Sequence, residues 1–140
     1  MKFSVITLSD LNTVAGELVR MMQETPLCLF YGSMGAGKTT LIAKICNVMQ
    51  VTGNISSPTF TIVNEYRDPN AKPVFHIDLY RIKDLREALD TGIEEYLYSG
   101  NVCMVEWPEL IEEIVEPPYI VVNIEALQDE SREISITHKK

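Results

Sequence analysis

The sequence predicts an α/β fold of three layers, in which a mixed sheet with a parallel core and antiparallel edge strands lies between two layers of helices. Residues 32–39 read G-S-M-G-A-G-K-T, which fits the pattern G-x-x-x-x-G-K-(S/T). An apolar run of strand length, residues 27–31, precedes this motif, and residues 38–50 carry apolar side chains at helical spacing. A second apolar run, residues 102–105, is typical of a strand buried on both faces. We expect residues 1–140 to form one domain.

Two elements are expected before the motif. Residues 2–7 alternate between polar and apolar types enough to form a strand. A helix should run from about residue 11 to residue 23, because its apolar residues share one face, with Ser9 or Asp10 as its N-cap. Pro26 ends the connection that leads to the strand before the motif.

The chain after the motif helix alternates between loops, strands and short helices. Residues 61–67 and 74–78 predict two strands of one hairpin, since residues 68–70 have the composition of a turn. The remaining elements are short: a helical segment within residues 79–89, a short helix or turn at 93–98, a strand at 102–105, a short helix at 110–115 and a closing hairpin of residues 119–124 and 132–137.

The composition favours an acidic cytoplasmic protein. Twenty acidic residues against twelve basic ones give a net charge of −8, which argues against direct, non-specific binding of nucleic acid. No apolar run is long enough to cross a bilayer, and the first residues lack the pattern of a signal peptide. Cys28, Cys46 and Cys103 are isolated in apolar patterns, which indicates reduced core thiols rather than disulfides or a metal site.

The chemistry of the motif is that of a phosphate-binding P-loop. Glycines let the backbone coil round a polyphosphate, and successive N–H groups at the start of a helix favour negative charge. Lys38 supplies a charge for the β- and γ-phosphates, and the Thr39 hydroxyl can ligate Mg²⁺. A P-loop NTPase-like fold is therefore expected; the alternative is a glycine-rich turn that binds nothing. The candidate nucleotide-binding residues here are Gly35, Ala36, Gly37, Lys38, Thr39 and Thr40.

Two carboxylates are candidates for the rest of a catalytic and metal site. Asp78 and Glu106 each close a mostly apolar strand, which is how a Walker-B aspartate is presented. Ligands of open α/β sheets bind outside the carboxyl ends of the strands, so both side chains can meet Lys38 and Thr39 if the strands are parallel. Otherwise Asp78 caps the following segment and Glu106 is solvated.

A switch is predicted between the motif helix and the next strand. This is where GTPases place a threonine that senses the γ-phosphate, and Ser57, Thr59 and Thr61 are the candidates here. The alternative is a proline turn that starts a strand.

Several single residues near the candidate carboxylates have two interpretations each. His76 is more often a hydrogen-bonded core residue than a base or ligand. Arg81 reaches phosphate or pairs with an acid, and Arg132 touches a nucleotide or pairs across the closing hairpin. Trp107 packs under the site or, with Tyr80 and Arg81, belongs to an interface.

The motifs in combination resemble one bacterial family, the TsaE (YjeE) family. The resemblance rests on residues 32–40 (GSMGAGKTT), 57–61 (SPTFT), 65–66 (EY), 76–81 (HIDLYR), 92–96 (GIEEY) and 106–108 (EWP), in that order. It covers nearly the whole chain. The family's usual loop reads G-D-L-G-A-G-K-T-T, so Ser33 and Met34 depart from it and remove a carboxylate from the loop's outer side.

The resemblance implies a weak ATPase that uses ATP and Mg²⁺ in the synthesis of threonylcarbamoyladenosine in tRNA. The implied partners are TsaB and TsaD, with tRNA reached only through the complex that this ATPase drives or resets. Asp78 and Glu106 match the family's metal-site acids. Arg132 and the start of the first helix, up to Thr13, resemble segments that approach the nucleotide base. Two other functions remain open, a small P-loop kinase and an assembly factor in which hydrolysis is incidental.

Overall fold

The computed structural model describes residues 1–53 and 62–140. Its elements, in chain order, are β1 (Lys2–Val5), α1 (Leu8–Met22), β2 (Leu27–Tyr31), α2 (Lys38–Met49), β3 (Val63–Arg67), β4 (Pro73–Asp78), α3 (Leu85–Asp90), α4 (Ile93–Leu97), β5 (Val102–Glu106), a 3₁₀ helix (Pro108–Ile114), β6 (Tyr119–Ala126) and β7 (Arg132–Lys139). The predicted elements are found within these ranges, with ends shifted by a few residues; residue 61, at which one predicted strand begins, lies outside the described residues.

The strands of the described ranges form one sheet of seven strands in the order β1-β7-β6-β2-β5-β4-β3. The P-loop strand β2 is parallel to β5 on one side and to β6 on the other, and β4 is parallel to β5. Strand β3 is antiparallel to β4, and β7 is antiparallel to both β6 and β1. The mixed sheet with a parallel core is therefore confirmed. The antiparallel edge strands are confirmed too: the outermost strand β1 is antiparallel to β7 and therefore runs in the same direction as the core strands.

Two apolar cores lie on opposite faces of the sheet, which gives the predicted three layers. On one face α1 and α2 pack through Leu18 and Leu41 against sheet residues such as Phe30. On the other face α3, α4 and the 3₁₀ helix cover a separate cluster that includes Leu29 and Ile77. The fold is P-loop NTPase-like, with the glycine-rich loop at the carboxyl end of its central strand.

Helix α1 begins three residues earlier than the sequence pattern predicts, and the predicted N-cap is wrong. Thr7 is the N-cap, and its hydroxyl accepts a hydrogen bond from the Asp10 amide at 3.2 Å. In turn, the Asp10 carboxylate accepts a hydrogen bond from the Thr7 amide at 3.0 Å. In this reciprocal capping box each side chain accepts the hydrogen bond of the other residue's amide.

The other differences concern short elements near the end of the chain. The helix predicted at 110–115 is a 3₁₀ helix that starts at Pro108, where a proline suits the first turn because its missing N–H has no helical partner. His138 is exposed near the end of β7, and its Nε2 is 2.9 Å from the hydroxyl of Thr25.

The cysteines and helices bear on two further expectations. Cys28, Cys46 and Cys103 are all buried free thiols, and burial raises the pKa of Cys46 to about 11 and that of Cys103 to about 12.

Among the helices of the described ranges, none is both long and apolar enough to span a membrane.

Candidate nucleotide-binding site

The loop between β2 and α2 is built on two glycines, one required by a close contact and one by its backbone conformation. A Cβ on Gly32 would lie 2.9 Å from the carbonyl oxygen of Ile124 in β6, closer than real Cβ atoms approach. Gly37, the N-cap of α2, has φ of 108°, in the left-handed region that favours glycine. The backbone therefore turns tightly against β6 and delivers the first amides of α2 to the carboxyl edge of the sheet, as an anion site requires.

Lys38 is held at the mouth of this loop. Its Nζ donates a hydrogen bond to the Gly32 carbonyl at 2.5 Å, and the residue is only 5% exposed. The ammonium also lies 3.3 Å from the centroid of the Trp107 ring, a cation–π contact. Burial lowers the pKa of Lys38, and the nearby carboxylates, with Glu106 the strongest, act against that shift. A buried ammonium with so little competing water attracts an anion strongly.

Trp107 owes its position to an unusual backbone. Its φ of 57° and ψ of 54° are left-handed, which is rare for a bulky residue and costs on the order of 1–3 kcal/mol. The Tyr80 ring lies beside it, with centroids 5.2 Å apart. Trp107 thus packs at the site, with Tyr80 half-exposed at its side. An interface that includes Trp107, Tyr80 and Arg81 stays a prediction.

The two candidate carboxylates end neighbouring strands at the same edge of the sheet. Strands β4 and β5 are parallel, with Asp78 opposite Glu106 in register. A hairpin of β3 and β4 does not by itself fix the direction of β4 relative to β5. The parallel pairing does, and it brings both acids to the edge of the sheet where Thr39 lies. Asp78 also accepts a hydrogen bond from the Tyr80 amide at 3.0 Å, so it caps the turn that follows as well.

Glu106 is the most constrained acid of the site. It is 2% exposed, so the alternative of a solvated Glu106 is wrong. Its Oε1 accepts a hydrogen bond from the Thr39 hydroxyl at 2.9 Å. Its Oε2 lies 2.6 Å from Nε2 of His76, which is equally buried. The carboxylate therefore joins the first turn of α2 to the interior of β4.

His76 is the residue whose part in the site sequence reasoning missed. The expectation of a hydrogen-bonded core histidine is correct, but its partner is the candidate catalytic acid itself. A signal was present in the sequence: His76 precedes Asp78 by two residues on one strand, so both side chains lie on the same face. Only the register of β4 against β5 shows that Glu106 lies within reach.

Arg132 reaches the loop, where it bonds to backbone carbonyls instead of pairing with a side chain across the hairpin. Its Nε donates to the carbonyl of Ala36 at 2.9 Å, and one terminal nitrogen donates to the carbonyls of Glu130 and Ser131 at 2.9 and 3.2 Å. The guanidinium thus ties the β6–β7 turn to the P-loop backbone. Contact with a nucleotide base stays a prediction.

The other predicted residues are placed as follows. Thr40 is exposed in the first turn of α2, and Thr13 is exposed on α1, where its hydroxyl bonds to the Ser9 carbonyl at 3.1 Å. Arg81 is exposed after the Asp78 turn. The switch candidates Ser57, Thr59 and Thr61 lie outside the described residues.

The donor set fits a nucleotide-bound Mg²⁺ better than a resident metal. In the described ranges, no three His, Cys, Asp or Glu side chains gather as a metal cluster would need. Mg²⁺ prefers oxygen ligands and is commonly held by one or two carboxylates together with substrate phosphates and water. The Thr39 hydroxyl, bonded to Glu106 beside the P-loop amides, offers oxygens of this kind.

Comparisons with known proteins agree on one family. A sequence model described as "Threonylcarbamoyl adenosine biosynthesis protein TsaE" matches residues 6–134. The chain is 41% identical over 106 residues to a protein of Bacillus subtilis named tRNA threonylcarbamoyladenosine biosynthesis protein TsaE, covering 76% of this chain and 65% of that one, a little under two thirds. A protein of the same name from Rickettsia felis is 37% identical over 128 residues, covering 91% of this chain and 74% of the relative.

A solved structure shares the fold of this chain. The crystal structure of Bacillus subtilis YdiB superposes with a TM-score of 0.77 at 28% identity, covering 99% of this chain and 84% of that one. The family match itself extends from the turn before α1 into β7, and so includes the P-loop, both acids and Arg132. The chain therefore belongs to the TsaE family of threonylcarbamoyl adenosine biosynthesis proteins.

Proposed function

We propose that this chain is an ATPase that binds ATP with Mg²⁺ at residues 32–40 and hydrolyses it in the service of tRNA threonylcarbamoyladenosine synthesis. The observation that carries the proposal is the hydrogen bond between Thr39 and the buried Glu106, beside the Lys38 ammonium. A positive group, a hydroxyl and a carboxylate at the mouth of a P-loop form the constellation that phosphoryl transfer to water needs.

The P-loop residues have separate tasks in this reaction. The amides of residues 35–40 bind the phosphate oxygens, because they end a glycine turn at the start of α2. Lys38 exchanges its contacts with Gly32 and Trp107 for the β- and γ-phosphates and stabilises charge as the terminal phosphoryl group leaves. A bound Mg²⁺ would supply further charge stabilisation, with Thr39, Asp78 and Glu106 as the residues that would hold it or its waters.

The attacking water needs an acceptor that orients it. Asp78 and Glu106 are the two candidates, since both end strands at the carboxyl edge of the sheet. Glu106 already receives hydrogen bonds on both oxygens from Thr39 and His76, which suits a group that fixes the metal side of the site. Substitution of each acid by its amide separates the two tasks, because loss of Mg²⁺ dependence and loss of turnover are measured separately.

The chain acts within a complex in this proposal. The relatives are named for the biosynthesis of threonylcarbamoyladenosine in tRNA, a product that a P-loop site does not itself make. The proposed partners are TsaB and TsaD, with tRNA bound by the complex. Arg132 donates through Nε and one terminal nitrogen to backbone carbonyls, so these donors are not available to stabilise the transferred phosphoryl group. This suits a slow enzyme that depends on partners for full activity.

One experiment tests the proposal against its rivals. Phosphate release from ATP is measured for this chain alone, with TsaB and TsaD, and with both partners and tRNA. We expect slow, Mg²⁺-dependent release alone and faster release with the partners, and the Lys38→Ala variant should lose both ATP affinity and release. Phosphate transfer to a small acceptor instead of water would identify a kinase. Partner binding that requires ATP but never stimulates its turnover would identify an assembly factor.

A further inference from the structure

We propose that His76 is a positioning residue of the ATPase site: it holds the Glu106 carboxylate so that the other carboxylate oxygen stays directed at Thr39. The inference rests on the proposed function and adds a residue to it. His76 is buried in β4 and would not itself meet the nucleotide, so its effect on the reaction passes through Glu106.

The hydrogen bonds assign a different partner to each oxygen of Glu106. Oε1 accepts from the Thr39 hydroxyl at 2.9 Å, and Oε2 is 2.6 Å from Nε2 of His76. An ionised carboxylate only accepts hydrogen bonds, so Nε2 of His76 carries the hydrogen that is shared. With both oxygens bound, the carboxylate group cannot rotate about its last bond without breaking one of the two hydrogen bonds.

The sheet fixes the position of His76 more firmly than a loop would. His76 lies opposite Met104 of β5 and opposite Asn64 of β3 in register, so its backbone is in a strand paired on both sides. Glu106 lies two residues beyond Met104, on the same face of the sheet. The imidazole is thus delivered to Glu106 by strand register, which is the rigid support that a precise site needs.

Loss of the histidine donor would leave a buried acceptor without a partner. An unpaired buried oxygen is unfavourable, and the Glu106 side chain would relieve this by turning Oε2 towards another donor. Such a rotation moves Oε1 away from Thr39. Second partners of this kind affect metal affinity or activity by about 10–100-fold in metal sites. The change should therefore appear in turnover and in the Mg²⁺ requirement, and much less in the affinity for ATP without Mg²⁺.

The test compares three variants of the full chain. His76→Leu removes the donor, His76→Gln keeps an N–H at a similar reach, and Met104→Leu alters the same buried face without a hydrogen-bonding group. We expect His76→Leu to lower kcat and to raise the Mg²⁺ concentration for half-maximal activation by about 10–100-fold. His76→Gln should recover part of both losses, and Met104→Leu should behave as the parent does.

Two readouts do not depend on turnover. Calorimetric titration with ATP should show that Mg²⁺ strengthens binding less in His76→Leu than in the parent, with equal affinities when Mg²⁺ is chelated. The chain has only two histidines, so imidazole resonances can be assigned by comparison with a His138 variant. A slowly exchanging Nε2 proton of His76 is expected in the parent, and its resonance should shift in Glu106→Gln.

The outcomes separate this inference from the function on which it rests. If His76→Leu keeps the parental kcat and Mg²⁺ requirement while Glu106→Gln loses them, His76 is structural only and the inference is wrong. If the parent neither binds nor hydrolyses ATP, the proposed function fails instead. If His76→Leu does not fold, His76→Gln and the imidazole spectrum decide, and absence of the protected Nε2 proton in the parent overturns the inference.

Discussion

The Lys38 ammonium rests on the ring of Trp107 at 3.3 Å, and this contact has a measurable consequence. A cation–π contact contributes about 0.5–2 kcal/mol, less than the attraction of a buried ammonium for a polyphosphate. Nucleotide binding should therefore draw Lys38 away from the ring. Trp107 is the only tryptophan of the chain, so its fluorescence reports this step without labelling.

We predict a change of Trp107 emission on titration with ATP and Mg²⁺, with a midpoint equal to the calorimetric Kd. Without nucleotide, Lys38→Met should already show the Trp107 emission that the parent shows with nucleotide, because the ammonium is absent from the ring. Addition of ATP and Mg²⁺ should cause no further change in this variant. Tyr80→Phe keeps the ring that lies 5.2 Å from Trp107 and serves as the control with a normal response. If the emission of the parent does not change at saturating nucleotide, Lys38 does not leave the Trp107 ring for the phosphates, and the prediction is wrong.

At the scale of elements, local patterns were enough to predict the P-loop, the strand before it and the helix after it. Each of these depends on neighbours in the chain. The contacts that complete the site are distant in sequence: 30 residues separate His76 from Glu106, 67 separate Thr39 from Glu106, and 96 separate Arg132 from Ala36. No local pattern encodes such pairs, since they depend on strand order and register. Asp78 and Glu106 could be predicted as candidates because each ends an apolar strand. The sequence placed His76 on the same face as Asp78, but it could not show that Glu106 is its hydrogen-bond partner.

The contact between the P-loop and β6 gives a prediction about stability. Gly32→Ala places a Cβ 2.9 Å from the Ile124 carbonyl, a backbone atom that cannot move without disturbing the strand. We expect a loss of about 1–3 kcal/mol in the free energy of unfolding, measured by urea denaturation, together with weaker ATP binding. Gly16→Ala is the matched control, because no atom lies within 4 Å of its added Cβ and the residue is within α1.

The control should move in the opposite direction. Alanine in a helix interior is favoured over glycine by about 0.5–1 kcal/mol, so Gly16→Ala should be more stable than the parent with unchanged ATP affinity. Equal stabilities for Gly32→Ala and the parent would mean that the loop can move away from β6. The close approach would then not be what shapes the P-loop.

At the scale of the whole molecule, the acidic charge supports the proposal that tRNA is bound by partner proteins and not by this chain. The net charge is −8, and several of the twelve basic residues already have partners within the chain. Lys2, Arg20 and Arg67 form ion pairs with glutamates. Lys38 is buried at the P-loop, and Arg132 is bonded to backbone carbonyls. Seven basic residues remain against twenty acidic ones. This balance does not favour neutralisation of a nucleic-acid backbone, which supplies most non-specific affinity.

We predict that this chain alone does not bind tRNA at physiological ionic strength, with or without ATP, as measured by fluorescence anisotropy of labelled tRNA. Association should appear only when TsaB and TsaD are added, because the partners then supply the contacts to phosphate. If TsaB and TsaD bind tRNA without this chain, the salt dependence of tRNA binding should be the same with and without the chain, because the chain adds no phosphate contacts. Tight, salt-sensitive binding of tRNA by the chain alone would contradict the prediction, and would place a nucleic-acid surface on this subunit despite its charge.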